Sequence, residues 1–93
     1  MLVLMLGMFE SGSGDDMTRL QPEFSDHLGQ PLLRIHTAGA LANADGTRTG
    51  VMIVLESASV EAARSYLETD PFLTAGLYER VELLEYKVEV GRL

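Results

Sequence analysis

The sequence predicts an α+β domain of the ferredoxin-like βαββαβ type, a four-stranded antiparallel sheet with two helices on one face. Three observations predict it. Two apolar runs, Met1–Phe9 and Gly50–Leu55, have the length of strands. Between and after them, apolar residues recur at helical spacing, and the closing segment alternates with a period of two. The resulting order of strand, helix, strand, strand, helix, strand fits one sheet covered on one side by its connecting helices. At 93 residues the chain has room for a single domain, 1–93.

Met1 to Phe9 is read as the first strand. It has no basic leader or small-residue cleavage site, and it is far short of the roughly 20 apolar residues that span a bilayer. Glu10–Asp16 is polar and holds Gly12 and Gly14, the composition of a surface loop. From about Thr18 to Ala38 a stripe of Leu20, Phe24, Leu28, Leu32 and Ile35 predicts the first helix. Pro22 falls in its first turn, and a kink or break is expected near Gly29 and Pro31. Gly39 supplies a stop.

Ala40–Ala44 reads as a short second strand closed by the Asp45-Gly46 turn, and Gly50–Leu55 as the third. Ser57 or Ser59 caps a second helix carrying Val60, Ala63 and Leu67 on one face, which ends at Asp70 because Pro71 follows. A compact segment, Phe72–Tyr78, leads to a last strand from about Arg80 to Val90. There Leu84, Tyr86, Val88 and Val90 face one way and Glu85, Lys87 and Glu89 the other.

Two helices cover only one face of such a sheet, yet the first and third strands are apolar on both sides. A second copy of the same sheet is the economical cover, so a homodimer with sheets packed face to face is expected. The alternative is a loop or the C-terminal segment folded over that face within one chain.

Seven basic against 14 acidic residues give a net charge of −7, with the basic residues scattered singly. Nucleic-acid backbones and anionic membranes would be repelled, so neither is an expected partner. No Cys is present, which removes disulfides, thiolate metal sites and a cysteine nucleophile together. With 46% hydrophobic residues the composition is that of a packed protein, expected in the cytoplasm.

Asp70-Pro71-Phe72-Leu73-Thr74-Ala75-Gly76-Leu77-Tyr78, with Glu61-Ala62-Ala63 before it, Val81–Tyr86 after it and Ala38-Gly39-Ala40-Leu41 upstream, resembles the YCII-related (YciI-like) family. The resemblance runs from about Leu32 onward and rests most on the D-P-F-x-x-A-G-L block. It implies a ferredoxin-like protomer in a dimeric α+β barrel. It also implies a paired His and Asp, and a related member acts as a dehydrochlorinase on a chlorinated hydroxyquinol. Asp70 matches the motif aspartate, and His27 is the candidate histidine. The family's Gly-Pro after the second strand is replaced here by Ala44-Asp45-Gly46.

An imidazole beside a carboxylate is suited to moving a proton near neutrality, so His27 and Asp70 form the expected catalytic pair. Asp70 before Pro71 is also a natural N-cap, a role compatible with the first. Arg19 is a candidate for a substrate carboxylate or phenolate, and Phe72 and Tyr78, with Phe24 and Tyr66, for a substrate ring; solvated Arg and core aromatics are the plainer readings. His36 lies nine residues from His27, on the opposite side of an unbroken helix, and no metal-binding spacing is present, so neither a metal nor a cofactor is expected. Gly12-Ser13-Gly14 fits no phosphate-loop pattern and adjoins Asp15 and Asp16. The expected function is therefore a homodimeric protein acting on a small organic molecule, a cofactor-independent lyase or isomerase; the alternative is a ligand-binding or assembly module of the same fold.

Overall fold

A computed structural model describes residues 1–30 and 34–93. Strand β1 (Leu2–Phe9) occupies the interior of the sheet, whose order is β2-β3-β1-β4, with β2 (Arg34–Ala42), β3 (Arg48–Glu56) and β4 (Tyr78–Tyr86) all joined antiparallel. This is the ferredoxin-like arrangement that the order of elements predicts. Helix α1 (Gly14–Leu28), helix α2 (Val60–Leu67) and the single turn α3 (Pro71–Thr74) supply the other side of the core.

The core is built where alternate strand residues meet the helices. Val3, Met5, Val51, Ile53 and Leu55 are buried, and α1 lays Leu20 and Phe24 against them while α2 adds Ala63 and Leu67. Gly7 lies on the same side of β1. A Cβ there would meet the Tyr78 ring at 2.6 Å, so a missing side chain makes the seat for an aromatic from β4.

The first helix departs most from expectation. It ends at Leu28 with Gly29 as C-cap, and Ile35–Ala38 belong to β2 rather than to a helix. β-Branched Ile35 and Thr37 suit the pleated strand, where Ile35 pairs with Leu55 and Ala38 with Ile53. Strand β2 is thus longer than the expected Ala40–Ala44, and His36 stands on a sheet edge, not on a helix face. The expected stripe position Leu32 and the interior Pro31 lie outside the described residues. At its other end α1 starts at Gly14, which moves Pro22 from a first turn into the helix interior. Strand β4 is displaced as well: it runs Tyr78–Tyr86, and Val88 and Val90 extend past it as exposed residues.

Local capping follows the sequence. Ser59 caps α2 by accepting from the Ala62 N–H at 3.1 Å. Helix α3 stops when Gly76 takes φ of +74°, letting the Gly76 and Leu77 N–H groups bond back to Leu73 and Phe72.

The helix-free face is apolar but less covered. Cross-strand partners Leu4, Val54 and Leu84 share it, as do Leu6 with Met52 and Leu2 with Tyr86. Val54 is buried there, whereas Leu84 is 51% exposed and the others are half-buried.

Candidate acid–base site

Helix α1 and the α2–α3 connection deliver the two titratable side chains to one place. His27 follows Leu20 and Phe24 on the buried face of α1 and is 6% exposed. Asp70 precedes α3 and is 1% exposed. Both line a small cavity of about 10 Å³ walled by Met5, Ile53, Leu55 and Leu83, room for roughly one water molecule.

Each is fixed by other partners rather than by a direct bond to the other. Asp70 Oδ1 accepts from the Phe72 N–H at 2.8 Å, which caps α3, and Oδ2 accepts from the Tyr78 hydroxyl at 2.8 Å. The capping and functional readings therefore share one carboxylate. Burial raises the Asp70 pKa above its ordinary value, opposed by the Tyr78 and Phe72 donors and by His27. Burial also raises that of Tyr78, with Asp70 adding to the effect, so this phenol stays protonated and remains a donor.

His27 is gripped on three sides. Tyr66 stacks on its ring at 4.3 Å, and the Tyr66 hydroxyl donates to the His27 carbonyl at 2.9 Å. Thr69 Oγ1 lies 3.4 Å from Nδ1 and spends its own hydrogen on the Tyr66 carbonyl at 2.8 Å. A hydroxyl has one hydrogen, so Thr69 acts toward the imidazole as acceptor, which assigns the proton to Nδ1 and leaves Nε2 as the basic nitrogen. Nε2 is sealed from solvent and has no hydrogen-bond partner among the described residues. Burial lowers the His27 pKa, with the Asp70 charge acting in the opposite direction, so the ring is neutral at neutral pH and ready to accept a proton. On its outer side His27 borders an open depression of about 430 Å³ edged by Glu23, Asp26, Gln30, Thr69 and Pro71.

Of the other residues singled out in the sequence, Tyr78 joins the site through Asp70. Phe72 is fully buried, stacked on Phe24 at 4.4 Å and edge-on to Phe9 at 5.2 Å, as core beneath the site. Arg19 stands apart: its side chain is 65% exposed, pairs with Asp16 at 3.1 Å, and borders none of the cavities described here. Among the described residues no group of three side chains is placed to hold a metal. Sequence reasoning passed over Arg48 and Thr69. Arg48 had a signal, a cation opening an otherwise apolar strand in an acidic chain; Thr69 had none, because its role depends on where α1 ends.

A small α+β domain thus brings an imidazole and a carboxylate from distant parts of the chain onto one cavity. The chain belongs to the YCII-related domain family, which matches residues 1–87. It is 33% identical over 60 residues to Protein YciI of Escherichia coli, covering 58% of this chain and 61% of that relative, so the match spans less than two thirds of the relative's length. Among solved structures it is similar to the 5-chloro-2-hydroxyhydroquinone dehydrochlorinase of Burkholderia phenoliruptrix, seen in complex with 2,5-dihydroxybenzoquinone. The TM-score is 0.85, with 25% identity over 94% of both chains. An uncharacterized NIPSNAP domain protein of Burkholderia xenovorans shares the fold at a TM-score of 0.55 and 16% identity, over 99% of this chain and 100% of that one. No helix among the described residues is long and apolar enough to cross a membrane.

Proposed function

We propose that the protein is a homodimer that catalyses cofactor-independent proton transfer on a small organic molecule, in an elimination or isomerisation, with His27 and Asp70 as the acid–base pair. The observation that carries this reading is a buried imidazole, its Nε2 unpartnered among the described residues, lining one cavity with a buried carboxylate. His27 takes the substrate proton at Nε2. The electron pair left behind moves into the substrate and expels a leaving group from a neighbouring position as its anion. Asp70, held by Tyr78 and Phe72, stabilises the imidazolium until its proton passes to water. The similarity to a dehydrochlorinase supports halide as a leaving group.

The dimer is supported by the helix-free face, where half-buried Leu2, Leu4, Leu6 and Met52 and exposed Leu84 form an apolar surface. Sedimentation at twice the 10.2 kDa chain mass is expected. One observation favours the ligand-binding alternative: the inner cavity holds no more than a water, so a ring reaches Nε2 only if the site opens. Chloride release from chlorinated hydroxyhydroquinones decides between the two. The catalytic reading expects turnover that falls by about 10²–10⁴ in His27→Gln with unchanged circular dichroism. Ligand binding without turnover, or turnover indifferent to His27→Gln, would overturn it.

A further inference from the structure

At the far end of β1 a second cavity, about 290 Å³ and open to solvent, lies between the β1–α1 loop and the β2–β3 hairpin. It shares no lining residue with the His27–Asp70 cavity. Its apolar wall is Phe9 and Met17, its polar wall includes Asn43, Thr47 and Thr49, and Arg48 is its one cation.

Arg48 is unusual in how little compensates it. It is partly buried, and among the described residues no carboxylate lies within ion-pair distance of it. Nη1 donates to Gln21 Oε1 at 2.6 Å, a neutral acceptor, and the buried Nε has no partner among the described residues. The guanidinium carbon sits 5.6 Å from the Phe9 ring centre and 5.8 Å from that of Phe72, so two ring faces attract it without neutralising it. Burial destabilises its charged form. In a chain of net charge −7 with carboxylates to spare, a desolvated cation without a counter-ion leaves its remaining Nη hydrogens for an acceptor from outside. Glu10 also borders the cavity, but it is exposed, where water screens its charge. The first turn of α1 does not serve as the anion site, because Asp15 and Asp16 already answer its dipole.

We propose that this cavity binds a small planar carboxylate, its charged group on Arg48 and its flat body against Phe9 and Met17. The volume suits a single ring, and the guanidinium fork suits a carboxylate better than a point charge would. This site is independent of the acid–base reading.

Benzoate and its neutral isostere benzamide, titrated into the unaltered protein and followed by amide NMR, test it. Benzoate is expected to shift Ser11–Gly14 and Asn43–Thr49, and to bind at least about tenfold tighter than benzamide. Arg48→Met abolishes the preference, Arg48→Lys keeps part of it, and Asp70→Asn leaves it unchanged. Equal binding of the two probes, no binding of either, or shifts confined to His27 and Thr69–Pro71 would overturn the proposal. The two probes on the unaltered protein decide even if Arg48→Met fails to fold. Because Asp70→Asn disables the acid–base pair and spares this site, failure of one proposal is visible separately from failure of the other.

Discussion

At the two ends of the helix-covered sheet face, polar groups are treated in opposite ways. Around Asp70 and His27 the two carboxylate oxygens and Nδ1 are matched from within, by a backbone N–H, a phenol and a threonine hydroxyl, and only Nε2 is left over among the described residues. The space left over holds about one water. Around Arg48 the space is roughly 290 Å³, open, and among the described residues the cation has a neutral partner and two ring faces but no carboxylate. The closed end is arranged to set protonation states, since burial acts on both titratable groups there. The open end is arranged to receive charge. Between them stands the aromatic wall of Phe9, Phe72 and Tyr78.

Breaking that wall has the largest expected effect. Phe72 is fully buried and touches both ends, so Phe72→Ala should cost about 3–5 kcal/mol in urea unfolding and disturb the resonances of Arg48 and His27 together. A loss below about 1 kcal/mol would mean the two ends do not share this support.

Asp70→Ala acts first on the closed end. It removes the α3 cap and leaves the Tyr78 hydroxyl without its acceptor, an expected loss of about 2–4 kcal/mol. Asp70→Asn keeps an oxygen for the cap and should lose less. Equal losses for the two would assign the whole effect to the charge.

The smallest effect is on pH dependence, and its sign is distinctive. Burial holds folded His27 below its ordinary 6.5. As pH falls through 6.5 the unfolded chain takes up a proton that the folded chain refuses, so stability drops from there down to the folded pKa. Asp70 has the opposite sign: its folded pKa lies above the ordinary 3.8, so its contribution fades as pH rises through that raised value. The imidazole NMR titration of His27 should show a midpoint below 6.5, and Asp70→Asn should lower it further by removing the charge that favours imidazolium. A midpoint at or above 6.5 would place His27 in solvent, outside the closed site.

What could be read from the sequence differs along the chain for identifiable reasons. Asp70-Pro71 is a local signal, because an N-cap and a proline at the first helical position depend on neighbours in sequence, and both stand where expected. Ile35 and His36 were misplaced because their spacing from Leu28 fits a helix as well as a strand, and pairing with β3 decides between the two. His27 and Asp70 were singled out from the sequence. The tautomer, the Tyr66 stack and the Thr69 acceptor could not be, since they come from three elements meeting.

By itself the sequence determined the class of fold and the chemical inventory. Periodicity and the order of apolar runs specify which segments pair and which faces are buried, and with no Cys and two His the titratable choices are few. Tertiary structure alone decided which groups lose water and which keep it. Asp70, 43 residues from His27 in the chain, lines the same small cavity, while Arg48 is partly desolvated with no carboxylate in reach among the described residues. Desolvation depends on everything packed around an atom and falls steeply with distance, so residues remote in sequence set it.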